Sequence, residues 1–311
     1  DFSPTIQDPM LRRFSFFATP VDVQTPDYRA LDFDERLFPF DDDDVGSFTV
    51  FHNLDRLFAT FSTRWADINV GRQPVAWGSA RIISPTDILV PFRFTDLDRE
   101  ERFGVDAVRM LIPLGALSLI DVGYVFGSEA AFSESAVFLR PKLHVLQTDL
   151  SIVTALFQQH LLGGIDLARA IGGVGTWLEG AYVVTDLTAP DDRDGDNDYL
   201  RISAGGDYRF TDKIYGYVEY HYSAAGESDP GDYLELLATP AFEDGTVYLL
   251  GRHYLGLGAT YEITPLAPLN MLVLVNAGDW SVSLFPRIEY NIAPDVYVSL
   301  GATIGVGKKP A

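Results

Sequence analysis

Hydrophobic and polar residues alternate with period two along most of the chain, residues 279–306 among them. In the first half of that stretch Trp280, Val282, Leu284, Pro286, Ile288 and Tyr290 share one face, and Ser281, Ser283, Phe285, Arg287 and Glu289 share the other. Period two is the strand period. After residues 291–295, where Pro294 suits a tight reversal, Val296, Val298, Leu300, Ala302, Ile304 and Val306 alternate with Tyr297, Ser299, Gly301, Thr303 and Gly305. Each arm is about ten residues long, enough to cross a bilayer as a tilted strand, whereas strands of water-soluble sheets usually run about five or six. The stretch predicts a hairpin of a membrane barrel, lipid on one side and water on the other.

The same alternation predicts paired strands at 47–63 with 66–71, 104–111 with 117–126, 136–145 with 150–158, 165–171 with 176–185, 199–210 with 214–222, and 248–263 with 269–275. Residues 11–19 are a further candidate strand. Residues 165–171 put Arg169 on the apolar parity, so a short helix is the alternative there. In 199–210 the division is sharp: Leu200, Ile202, Ala204, Gly206, Tyr208 and Phe210 oppose Arg201, Ser203, Gly205, Asp207 and Arg209. Turns within hairpins are short, while the connections between hairpins, such as 186–198 and 224–245, are long and often acidic. Outer-membrane barrels place short turns in the periplasm and long loops outside, so the acidic loops are expected to face the medium. The expected fold is all-β: a transmembrane antiparallel up-and-down β-barrel of about fourteen to sixteen strands, one domain over residues 1–311. Such barrels normally have even strand numbers and leave no edge in lipid, so either the first strand closes on the last or a closing strand follows Ala311.

Composition agrees with this reading. The 311 residues are 47% hydrophobic and 22% charged, with 27 glycines, no cysteine and a net charge of -21; mean hydropathy is nevertheless slightly positive, at +0.07. A barrel gives that balance when half of every strand is apolar and the loops are polar. No apolar run approaches the roughly eighteen residues of a helical span. The acidic charge argues against nucleic acid, which needs a basic surface. The chain opens at Asp1 without a basic and apolar leader, and the barrel reading requires that one was removed. The acidic segment with Asp32, Asp34, Glu35 and residues 41–44 reads as a solvated loop.

The most informative non-repeating stretch is 71–91, GRQPVAWGSARIISPTDILVP, continued to Met110. Parity would throw Arg72 into lipid, where a charge costs about 2–4 kcal/mol at the midplane, so a bulge near Gly71 or a position at the rim is expected. From residue 77 to 94 the alternation is lost, and Pro85 and Pro91 prevent a regular strand. Apolar residues such as Ile82, Ile83, Ile88, Leu89 and Val90 favour a loop folded into the lumen. Arg72, Arg81, Asp87, Arg93, Asp96, Arg99, Arg102 and Asp106 are the candidate pore constriction, because fixed charge sets pore selectivity. The alternative is that they pair with one another and anchor the loop.

The GRQ at 71–73, WG at 77–78, SPTD at 84–87 and GVD at 104–106 resemble Gram-negative outer-membrane porin-like and alginate-export-like barrels. The resemblance covers about forty residues by motif and the rest by strand pattern. It implies that the loop following the GRQ strand folds back into the lumen, and that export of a polysaccharide or hydrophobic compound is a function to weigh.

Asp192, Asp194, Asp196 and Asp198 flank Gly195 at alternate positions, an arrangement of hard oxygens that calcium uses. They lack the register and distal glutamate of an EF-hand, and a solvated acidic loop is the preferred reading; otherwise no cofactor is expected. The five histidines form no motif with a serine, so an enzyme is not expected. Tyr208, Phe210, Tyr222, Tyr261, Trp280 and Tyr290 fall near strand ends, as interface girdles do. Tyr215, Tyr217 and Tyr297 have lumen parity and leave a saccharide or aromatic ligand open. The expected function is a porin channel in the bacterial outer membrane for small hydrophilic solutes or ions. The alternative is a barrel scaffold or export channel guiding a partner protein, polysaccharide or hydrophobic compound. Outer-membrane lipid and a homo-oligomer or partner protein complete the expected partners.

Overall fold

The computed structural model describes residues 2–6, 28–30, 35–38, 48–52, 54–90, 104–188, 197–243, 245–294 and 296–307. From Leu57 onward each strand pairs antiparallel with the next. The ladder begins with β4 (Leu57–Ser62), β5 (Asp67–Pro74), β6 (Gly104–Pro113), β7 (Leu119–Val125) and β8 (Ala136–Val145). It continues through β9 (Thr148–Phe157), β10 (His160–Ile171), β11 (Val174–Val184), β12 (Tyr199–Thr211) and β13 (Ile214–Ser223). The last members are β14 (His253–Thr264), β15 (Ala267–Asn276), β16 (Val282–Ala293) and β17 (Val296–Gly301), with β18 (Ile304–Val306) pairing β16 beyond β17. Among the described residues the sheet has 15 strands, and β4 and β17 are its two ends. A separate three-stranded sheet holds β1 (Phe2–Ile6), β2 (Glu35–Phe38) and β3 (Phe48–His52) in the order β1-β3-β2.

Period-two alternation sorts the two faces of the large sheet. Ile152, Leu178, Val218 and Leu257 stand 45–47% exposed in mid-strand, while their sequence neighbours Val153, Glu179 and Glu219 are at most 1% exposed. The apolar face is the open one. For a protein in water that is the wrong way round; for a sheet facing lipid it is required. The opposite face is covered by the chain's own connections. Residues 75–90 lie across it, and the 224–252 connection packs there too, with short helices α1 (Tyr233–Leu236) and α2 (Pro240–Glu243).

Several sequence expectations are corrected. Residues 47–63 are not one arm: β3 and β4 belong to different sheets, separated by a break around residues 54–56. That break is held in place, because the Leu54 carbonyl accepts from Arg72 at 2.9 Å and the Asp55 carboxylate from the Gly104 amide at 3.3 Å. The acidic stretch around Glu35 includes a short strand, β2. The helical alternative for 165–171 fails, since β10 pairs on both sides over its length; Arg169 keeps outward parity three residues from the 172–173 turn. β14 starts at His253, not Tyr248, because residues around Tyr248 and Leu249 turn onto the polar face and pack near Ile82. The final arm is interrupted at Ala302 and Thr303. The candidate strand at 11–19 lies outside the described residues.

No bulge interrupts β5: Gly71 pairs in register with Phe58 on one side and Ala107 on the other. Gly71 instead takes a φ of +121°, and a Cβ there would collide with the Leu57 carbonyl. Gly172, in the turn between β10 and β11, has a φ of +59° with open space around its Cβ position. The two glycines therefore answer different demands. Gly172→Ala should cost only the left-handed penalty, about 1–2 kcal/mol, whereas Gly71→Ala adds a backbone clash and should lower stability by clearly more. Urea titration of the folded protein in detergent, followed by heat-modifiable gel migration, measures both.

Candidate functional site: a loop clamped to the polar face

Pro74 closes β5, and residues 75–90 have no regular secondary structure. Their backbone N–H groups lack ladder partners, yet much of the segment is buried: Val75, Ile82, Ile83, Ile88 and Leu89 are each at most 4% exposed. Buried amides need acceptors. Two wall carboxylates supply them. Glu219 on β13 accepts from the amides of Arg81 at 2.6 Å, Ile82 at 3.2 Å and Ile83 at 2.8 Å, and from Trp177 Nε1 at 3.0 Å. Glu179 on β11 accepts from the amides of Ala80 at 3.1 Å and Thr86 at 2.9 Å, and from the hydroxyls of Thr86 at 2.6 Å and Ser84 at 2.5 Å. A carboxylate offers about four lone-pair sites, and here each receives four donors. That saturation is what compensates for burying the charge.

Neighbouring side chains complete the clamp. Ser203 Oγ donates to the Ile83 carbonyl at 2.6 Å and lies 2.8 Å from His221 Nδ1. Ser79 Oγ bonds Asp166 on β10. Arg201 joins both connections, donating to the Ser84 carbonyl at 3.4 Å and to the Thr246 carbonyl at 3.3 Å. The wall makes room by omission: a side chain on Gly256 would collide with Ile82, and one on Gly164 would meet Thr86. Gly78, at φ +89°, sits so close to Glu179 that a Cβ would lie 2.6 Å from both its oxygens. Above the loop, Leu236, Phe242 and Val247 of the 224–252 connection share one apolar cluster with Val75, Trp77 and Ile88. Tyr233 there accepts from Asn276 Nδ2 at 2.8 Å, and burial raises its phenol above the usual range, keeping it neutral.

The sequence candidates fall in three places. Arg72 and Asp106 face each other across β5 and β6 in a bidentate pair at 2.9 and 3.0 Å, with Arg72 only 2% exposed. Arg81 reaches from the loop to Asp207 on β12 at 3.0 Å, its side chain 53% exposed and its guanidinium 5.6 Å from the Trp177 ring centre. Asp87 is buried within the loop itself, its amide donating to Ser84 Oγ at 3.2 Å. Arg93, Asp96, Arg99 and Arg102 lie outside the described residues, as do Asp192, Asp194 and Asp196. Asp198 accepts from the Thr185 amide at 3.0 Å. Among the described residues no group of three or more metal-ligating side chains is placed to hold an ion.

Sequence reasoning assigned no role to Glu179, Glu219, Ser203 or Asp166. A signal was present for the glutamates: each is a single acidic residue in mid-strand, on the polar parity, in an otherwise uncharged run (TWLEGAYVV and YGYVEYHYS). Arg109 on β6 and Asp121 on β7 form a further bidentate pair, at 2.8 and 2.7 Å.

A long antiparallel meander with an open apolar face, and an inward loop held against its polar face, is the fold of outer-membrane porins. Solved structures agree. The chain is similar to Pseudomonas aeruginosa OccK5 (OpdH), with a TM-score of 0.57 at 9% identity, covering 83% of this chain and 77% of that one. It is also similar to P. aeruginosa OccK11 (OpdR), TM-score 0.55, 10% identity, covering 80% and 74%, and to a BenF-like porin from Pseudomonas fluorescens Pf-5, TM-score 0.54, 13% identity, covering 82% and 73%. No family model and no curated protein matches the sequence.

Replacing Glu219 by alanine leaves four donors without their acceptor, and each buried orphan costs about 1–3 kcal/mol. The loop should leave the wall before the barrel unfolds. Expected results are new protease cleavage between residues 76 and 90 and a larger single-channel conductance, with heat-modifiable migration retained; unchanged cleavage and conductance would show that Glu219 does not hold the loop.

Proposed function

We propose that this chain forms a passive channel in the bacterial outer membrane for small hydrophilic solutes or ions, narrowed by residues 75–90. The observation that carries the reading is the loop itself, clamped by Glu179 and Glu219 onto the polar face of a porin-fold sheet. A sheet meant only to be filled has no need to hold an arginine half-exposed on such a loop. The apolar outer face meets lipid, the short turns face the periplasm, and the long connections stand at the opposite end, the 224–252 connection folding back onto the polar face; the field of their acidic residues raises the local cation concentration. Among the similar structures, P. aeruginosa OccK2 (OpdF) was solved with glucuronate and P. aeruginosa OpdK with vanillate. Both are small polar organic molecules, and transport of that class suits this chain.

Within the constriction the candidate charges divide into roles. Arg81, with Asp207, sets ion preference, while Arg72 with Asp106 fixes the end of β5 where the loop begins. The chain is not an enzyme in this reading: Ser203 and His221 are buried together, and the serine hydroxyl donates to the Ile83 carbonyl. A barrel that serves as a plugged scaffold passes no sugars, so liposome swelling with sugars of graded size separates that role from a channel.

Arg81→Ala removes the loop's exposed cation and leaves Asp207 behind. In planar bilayers under a salt gradient the reversal potential should move toward cation selectivity. The half-exposed ion pair is worth only about 0.2–1 kcal/mol, so folding should be unaffected. An unchanged reversal potential removes Arg81 from the selectivity mechanism.

A further inference from the structure

On the short-turn side of the loop lies an open cavity of about 220 Å³ whose lining includes two cationic and two acidic residues, Arg81, Arg169, Asp149 and Asp207, with Ala168 and Gly175 among the small ones. By volume it holds about seven waters or one sugar-sized ring. We propose that this cavity is a subsite for an uncharged polyol of monosaccharide size, a deepening that rests on the channel reading above.

The charge pattern carries the choice. Arg81 and Asp207 lie 3.0 Å apart as an ion pair, so a donor and an acceptor sit side by side at one edge of the cavity. Asp207 Oδ2 is already engaged by Arg81 and by the Tyr215 hydroxyl at 2.9 Å. Asp149, on the β9 side, has one oxygen on His144 at 2.8 Å and is about half exposed. A carboxylate solute that approached Arg81 would lie against Asp207 and face Asp149. An ammonium drawn to Asp207 would lie against Arg81. Vicinal hydroxyls are each both donor and acceptor, so a polyol can bond to both members of the pair without breaking it. The Trp177 ring is seated over Gly205, where a Cβ would collide with it. Trp177 is itself only 5% exposed and lies beneath the Arg81 guanidinium, so it braces this wall and holds Arg81 at the edge of the cavity. Ala168 and Gly175 keep the cavity clear; a side chain on Gly175 would collide with Asp207.

Calorimetry on the folded full chain in detergent tests the subsite without relying on conduction. Glucose, glucuronate and glucosamine are the probes, matched in ring and differing in charge. Glucose should bind at least about tenfold more tightly than either charged sugar, and Ala168→Trp, which fills the cavity, should abolish its binding. Asp207→Asn unbalances the pair, so glucuronate should gain at least about tenfold. This gain cannot arise from misfolding. Binding of glucuronate or glucosamine tighter than glucose to the unaltered chain, no detectable glucose binding, or glucose binding that survives Ala168→Trp would each overturn the proposal. Failure of the channel reading is separately visible, as glucose binding by a protein that passes no sugar in liposome swelling.

Discussion

Everything inside this sheet depends on how residues 75–90 satisfy their backbone in a place largely closed to water. A strand delivers its amides to neighbours, and a helix to itself; a loop crossing an interior has neither. Here Glu179 and Glu219 act as substitutes for a missing strand edge, each accepting four donors. The dependence runs both ways. Without the loop, two carboxylates would stand on the wall with their donors removed. Without the carboxylates, consecutive amides at 81–83 would be orphaned beneath apolar side chains. Neither part is stable in this position alone, so loop and wall constitute one unit.

That unit constrains the wall in turn. A loop pressed against a sheet needs space that a uniform row of side chains would fill, and the chain provides it at single positions. Gly256 accepts Ile82, and Gly164 accepts Thr86. The outer face has no such demand, and its residues are those that period two and lipid favour. The 27 glycines of this sequence therefore do not form one category. Some serve turns, and those facing the loop record a close approach.

Fold and site differed in how far they could be read from the residues. Alternation in 199–210 and 214–222 fixed strands, faces and turn, because a half-buried sheet writes its geometry into every second residue. It failed where tertiary packing takes over: at Tyr248 and Leu249, whose apolar parity continues although the chain has turned inward, and at residues 54–56, where Arg72 and Gly104 hold a break that local sequence does not mark. The inward loop was legible from lost alternation, prolines and unplaced apolar residues. Its anchors were not, because Glu179 and Glu219 lie 93–138 residues away from the loop donors they meet. Arg72 shows the boundary well. Parity required either a bulge or the rim, and a glycine at φ +121° together with a facing Asp106 resolved the conflict without a bulge.

The distribution of charge separates two tasks that a net value of -21 merges. On the strands, charges come largely in close opposite pairs: Arg72 with Asp106, Arg109 with Asp121, Arg81 of the loop with Asp207, and Arg287 with Glu289. Pairs at about 3 Å have little field beyond a few ångströms, since each member cancels the other. The excess acid stands elsewhere in the sequence, in connecting segments such as 41–44 and 191–196. Long-range attraction thus originates in the connections and is weakened by salt over a Debye length of about 8 Å at physiological ionic strength. The interior acts at contact distance. In the proposed channel a solute at the loop would meet an ion pair, not a net charge, so the placement of donors and acceptors around Arg81 and Asp207 would distinguish one solute from another.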